Sequence, residues 1–191
     1  MKKRTDLRKQ DRWLTCSYFV ILFFVISFLG WLVETAYCYA VAGQYCDRGF
    51  LTLPFCTIYG CSILAVYALL GTPRWGGLLL RKVTNRWARL ALYFFMAALI
   101  PSVAELVTGF FFHHFFDLRL WDYSAKPLNI GGYICLPFAV IWGTLITVFM
   151  GFVFPRLARK IGQLPRRATY LLAGILSVAF LADFISKWFF I

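Results

Sequence analysis

The chain has 191 residues, 61% of them hydrophobic and 20% aromatic, with 20 Lys+Arg against 8 Asp+Glu for a formal net charge of +12. Apolar content on this scale exceeds what a soluble domain of this length has room to bury, so the chain reads as an integral membrane protein. Almost all of its mass lies in apolar segments, which excludes a separate soluble catalytic or nucleotide-binding domain.

A helical span needs about 20 mostly apolar residues. Five segments qualify in chain order, at residues 14–41, 50–70, 88–112, 132–154 and 168–191. The basic residues fall between them unevenly. Lys2, Lys3, Arg4, Arg8, Lys9 and Arg12 precede the first span. Arg74, Arg81, Lys82, Arg86 and Arg89 follow the second, and Arg156, Arg159, Lys160, Arg166 and Arg167 follow the fourth. That puts 16 of the 20 cations on one side, leaving Arg48, Arg119, Lys126 and Lys187 on the other. The positive-inside rule then predicts a multi-pass protein of the cell membrane, with a cytoplasmic N-terminus and an outer C-terminus. Read this way, the charge sets topology and attracts anionic membrane lipids rather than nucleic acid.

The first span imitates a signal peptide, with a basic start and Ala40-Val41-Ala42. Its apolar run is far longer than the usual core of such peptides, so a retained anchor is expected. The six cysteines form no metal signature; Cys38 and Cys46 lie toward the outer side, where an oxidising compartment would let them pair.

Two stretches repeat each other. Gly49-Phe50-Leu51-Thr52-Leu53-Pro54-Phe55-Cys56-Thr57-Ile58-Tyr59-Gly60 aligns without gaps to Gly132-Tyr133-Ile134-Cys135-Leu136-Pro137-Phe138-Ala139-Val140-Ile141-Trp142-Gly143, with six of twelve positions identical. Each follows a span that carries one carboxylate, Glu34 in the first case and Glu105 in the second. The predicted fold is therefore an all-α bundle of five transmembrane helices in a single membrane domain, residues 1–191. Its plan is 2+2+1: a parallel internal repeat of halves at about 14–71 and 88–155, and an extra span at 168–191. Glu34 to Pro54 is 20 positions and Glu105 to Pro137 is 32, so the second half carries 12 additional residues, between His113 and Asn129.

From the inner interface Glu34 lies about 31 Å and Glu105 about 26 Å along their helices at 1.5 Å per residue, both in the outer half of the bilayer. Pro101, one turn before Glu105, is expected to kink that helix. An ionised carboxylate in hydrocarbon costs several kcal/mol without a partner. Candidate partners on the same side are Arg48, Arg119 and Lys126, with the donors Trp121, Tyr123 and Asn129. Arg48 leads them, since it abuts the first repeat and a guanidinium clamps a carboxylate or phosphate bidentately. The competing reading is an architectural ion pair that fixes the bundle.

Trp121-Asp122-Tyr123-Ser124 reads either as an aromatic interface belt or as a lid folding back over the glutamates, the reading that Asp122 and Asn129 favour. Adjacent His113 and His114 point about 100° apart on a helix and do not suit a shared metal. Asp183 and Lys187, one turn apart, are expected to neutralise each other. There is no P-loop, no Gly-rich phosphate cradle, no Gly-x-Ser-x-Gly and no His-Glu-x-x-His. Neither a cofactor nor a metal is called for, and no catalytic residue is named.

Gly30-Trp31-x-x-Glu34, Arg48-Gly49-Phe50-Leu51, Ile58-Tyr59-Gly60, Leu120-Trp121-Asp122-Tyr123-Ser124, Asn129-x-x-Gly132 and Ile134-Cys135-Leu136 together resemble the ABC-transporter type IV (CmpB-like) family of membrane proteins, over about residues 28–145. The chain departs from that pattern at Asp47, Leu53 and Thr57, where Asn, Gly and Pro are usual. The resemblance implies a permease subunit working with a separate ATPase. The candidate binding set, from the residues and the resemblance together, is Glu34, Arg48, Tyr59, Glu105, Trp121, Asp122, Tyr123 and Asn129.

Transport is the reading carried forward, through an outward-facing acidic/Arg site. A homo-oligomer would widen a pathway that five spans leave thin. The short inner loops show no obvious coupling helix. Two alternatives stay open: an intramembrane enzyme acting on a lipid or prenyl substrate at the outer leaflet, and a non-catalytic membrane scaffold.

Overall fold

A computed structural model describes residues 2–43, 45 and 51–189, with side chains from residue 12 onward. Arg48 and Cys46 lie outside the described residues. The order of elements is α1 (Lys2–Ala42), α2 (Thr57–Leu70), α3 (Arg86–Phe116), β1 (Asn129–Ile130), β2 (Ile134–Cys135), α4 (Leu136–Val148), a π-helical turn (Phe149–Val153), α5 (Phe154–Gly162) and α6 (Arg166–Phe189). Helices dominate because a bilayer offers no water to backbone N–H and C=O groups, and a helix satisfies them within one segment.

Among the described residues, four helices are long and apolar enough to cross a membrane: Arg12–Ala42, Arg86–Phe116, Leu136–Gly162 and Arg166–Phe189. The third of these runs from α4 through the π turn into α5. The second expected span differs. Its helix, α2, has only 14 residues, about 21 Å at the helical rise. Residues 51–56 ahead of it are bent and non-helical, because Pro54 has no N–H to give and holds Leu53 toward extended geometry.

The chain forms two compact units, residues 1–60 with 156–191, and residues 61–155. In the first unit α1 packs on α6. Leu22, Phe24, Ile26 and Ser27 are buried there, and the Phe180 ring lies edge-on to Phe24 at 5.6 Å. The hydroxyl of Tyr18 donates to the Ala158 carbonyl at 3.1 Å. In the second unit α3 packs along α4. Asn85 caps α3, its side-chain oxygen accepting from the Trp87 and Ala88 amides at 2.9 and 3.1 Å. Asp117, in the left-handed region with φ 51°, ends the helix. α4 starts at Leu136 with Pro137 in its first turn, where the missing N–H costs nothing.

The connection between α2 and α3 is tightly folded. The Gly77 amide donates to Leu70 O at 2.6 Å, and the Tyr93 hydroxyl donates to Gly71 O at 3.0 Å. Large side chains such as Phe95, Leu99, Val107, Leu171, Ile175 and Val178 point outward from the spans. In water such a surface would associate; in a bilayer it faces lipid.

Candidate functional site

Each intramembrane glutamate receives a hydrogen bond from an aromatic side chain on the helix that follows its own. In the first unit the Tyr59 hydroxyl donates to Glu34 Oε1 in a short contact. In the second, Trp142 Nε1–H donates to Glu105 Oε1 at 3.0 Å. Both carboxylates are half-buried. Tyr59 and Trp142 are the same position of the aligned twelve-residue stretches. A hydrogen bond to a charged group contributes about 1.5–3 kcal/mol. Such a donor offsets part of the cost of placing a carboxylate within an apolar helix.

Close helix approach brings the donor within reach. Gly60 and Gly143 follow the two aromatics. A Cβ at Gly60 would lie 2.7 Å from the Phe23 ring and in contact with Ser27 Oγ. At Gly143 it would lie 2.9 Å from the Ala98 methyl and 3.1 Å from the Phe94 ring. Ser27 and Ala98 precede their glutamates by seven residues, Phe23 and Phe94 by eleven. The same register recurs in both hairpins.

The connection between α3 and α4 in the second unit is a folded object. Asp122 accepts from the Ser124 amide at 2.8 Å and hydroxyl at 2.6 Å, and pairs with Arg119 at 2.8 Å. These donors hold the Asp122 carboxyl below its ordinary value, the Ser124 hydroxyl contributing most, then the Ser124 amide, with Arg119 contributing less. Asn129 Nδ2 donates to the Ser124 and Lys126 carbonyls at 3.1 and 2.9 Å, and its Oδ1 accepts from the Gly132 amide at 3.2 Å. Trp121 Nε1–H donates to Tyr133 O at 2.8 Å, and the Tyr133 hydroxyl meets His113 Nδ1 at 2.7 Å. The β1–β2 turn, with Gly131 and Gly132 at positive φ, closes the loop.

The loop also touches the carboxylate's surroundings. Tyr123 stacks on Phe138 at 4.8 Å, and Phe138 lies 6.5 Å from the Trp142 ring, whose N–H is on Glu105. An aromatic row thus runs from the loop to the acid.

The eight residues drawn from the sequence fall into groups. Glu34 and Tyr59 meet. Trp121, Asp122, Tyr123 and Asn129 meet within the loop. Glu105 meets Trp142, which sequence reasoning placed in the repeat but left out of the site. Arg119, expected as a partner for the glutamates, pairs with Asp122, and Trp121 and Asn129 bond to backbone. Arg48, the expected clamp, lies outside the described residues. Asp183 does not pair with Lys187: its Oδ2 accepts from the Leu53 amide at 2.9 Å. The alignment of Tyr59 with Trp142, two aromatics able to donate, was the signal for Trp142. Nothing local in the sequence pointed Asp183 at Leu53.

No curated protein and no solved structure matches the chain. The model of the family described as Putative ABC-transporter type IV matches residues 21–187. That stretch contains both glutamate–aromatic pairs, the folded α3–α4 loop and Asp183, and with four membrane-length helices among the described residues the chain is a membrane protein that belongs to the Putative ABC-transporter type IV family.

Proposed function

We propose that the chain is a permease-like subunit that moves a small polar or lipid-like solute, working with a separate ATPase and as more than one copy. On this reading it has five spans. α2 and the bent segment ahead of it cross as a short helix plus irregular chain, a form tolerated where protein or a water-filled cavity surrounds it. The first four spans are two copies of one hairpin running in the same sense, with Glu34 and Glu105 toward the outer face. The N-terminus is cytoplasmic and the C-terminus outside.

The observation that carries the reading is the matched pair of contacts, Tyr59 on Glu34 and Trp142 on Glu105. Repeated use of a neutral aromatic donor at one register suits a polar site within the spans better than an isolated packing accident. Intramembrane acids held in this way characteristically mark solute or ion pathways. In the second hairpin the row Tyr123–Phe138–Trp142 gives a solute arriving from the loop a surface of aromatic faces. Glu34 and Glu105 are the binding residues, Tyr59 and Trp142 hold them, and the outer loop borders the entry.

The test is ATP-dependent uptake by membrane vesicles containing the chain and its co-purified ATPase. The probe is a uniformly 13C-labelled extract of small molecules, read by mass spectrometry. Glu34→Gln and Glu105→Gln each lower uptake of the transported species at least about tenfold, with thermal melts near wild type. Uptake unchanged in both variants would refute the proposal. Turnover of a labelled lipid without uptake would move the assignment to an outer-leaflet enzyme.

A further inference from the structure

Leu53 and Leu136 are the same position of the two aligned stretches, each directly before proline. Their amides precede a helix in an apolar segment, where an unpaired donor costs several kcal/mol. In the second hairpin the Leu136 amide donates to Leu128 O at 3.3 Å, a carbonyl of the long outer loop. The first hairpin has 12 fewer residues between its glutamate and its proline. There the Leu53 amide donates to Asp183 Oδ2 at 2.9 Å, a carboxylate carried by α6.

We infer that Asp183 is a positioning residue for the Glu34–Tyr59 pair, and that α6 performs for the first hairpin, by a carboxylate, what the outer loop performs for the second by the Leu128 carbonyl. Two bonds fix the bent segment against neighbouring helices: Leu53 N–H to Asp183, and Cys56 N–H to the Ser27 carbonyl on α1 at 3.0 Å. α2 begins one residue later, and its third residue is Tyr59. Anchoring at Leu53 and Cys56 therefore sets the register from which the Tyr59 hydroxyl reaches Glu34. A charged acceptor holds an amide more strongly than a neutral one. The anchor also gives α6, the helix outside the repeat, a task, and it holds whatever the glutamate binds.

The experiment uses full-length protein in nanodiscs carrying either Cys56 or Cys135 as the sole cysteine, the others replaced by alanine. Alkylation by a membrane-permeant maleimide is followed in Asp183→Ala and Asp183→Asn. The carboxyl infrared band of Glu34 is assigned by difference against Glu34→Gln. Asp183→Ala speeds Cys56 alkylation by roughly tenfold or more, the change a charge-assisted bond supports, and shifts the Glu34 band. Asp183→Asn, which keeps an acceptor oxygen, stays within about threefold of wild type by the same bond energetics. Cys135 reacts at the wild-type rate throughout. Unchanged Cys56 reactivity and an unchanged band in Asp183→Ala would overturn the inference, as would equal acceleration at Cys56 and Cys135. If Asp183→Ala does not fold, amide exchange in the wild type decides. Leu53 exchanges at least as slowly as Leu136 if the inference holds, and at the rate of an open amide if it fails.

Discussion

The turn of the second hairpin carries its own internal bonds: Asp122 to Ser124 and Arg119, Asn129 to three backbone groups, Trp121 to Tyr133. In the first, the described return segment is tied to α1 through Cys56 and to α6 through Leu53. Yet Glu34 and Glu105 are met by the same position of the following helix, over the same close approach at glycine. The two acids are thus held alike, while the amides ahead of the equivalent prolines find different acceptors.

The largest effect expected from probing this comparison lies at the glycines. Gly60→Ala forces a methyl against Ser27 and Phe23 and should destabilise by about 1–3 kcal/mol, the cost of overpacking. Gly143→Ala drives a methyl to 2.9 Å from the Ala98 methyl and should destabilise somewhat less, within the same range. Thermal or denaturant unfolding in detergent reads both. Equal and negligible costs would contradict the close approach.

A smaller effect separates the two hairpins at the residue facing that glycine. Ser27 Oγ is buried and has no hydrogen-bond partner among the described residues, whereas the corresponding residue of the second hairpin is Ala98. Ser27→Ala should therefore stabilise by about 1 kcal/mol, the order of cost of an unsatisfied buried hydroxyl. A loss of stability would show that the hydroxyl has a partner in the membrane.

The smallest effect concerns the loop between α3 and α4. The folded-state pKa of Asp122 is lowered, so its contribution is whole above the unfolded carboxylate value of about 4 and is lost as pH falls through the lower, folded value. Trp121 fluorescence should stay flat from neutral pH to about 5 and change only below about 4. Asp122→Asn should remove that acid transition. A transition near neutral pH would place another group in control of the loop.

The helical class and four of the spans were legible because unbroken apolar runs of membrane length leave the chain few alternatives. The length of α2 was not, since residues 50–70 are apolar throughout and hydropathy does not register the break. The prolines did not announce it either, since Pro137 sits inside the first turn of α4 while α2 waits until Thr57, three residues after Pro54. Glu34, Tyr59 and the loop residues were legible as polar groups in or beside apolar segments. Trp142 was hidden because tryptophan is ordinary in membrane helices, and only its donor N–H distinguishes its role. Asp183 was hidden because its partner is a backbone amide 130 residues away. The tempting partner, Lys187 one turn along the same helix, was the wrong one.

The most direct test of the account is a pair of double-mutant cycles on unfolding free energy, Glu34→Leu with Tyr59→Phe and Glu105→Leu with Trp142→Phe. The account predicts coupling of about 1.5–3 kcal/mol in each. Additivity within about 0.5 kcal/mol in either cycle would contradict it.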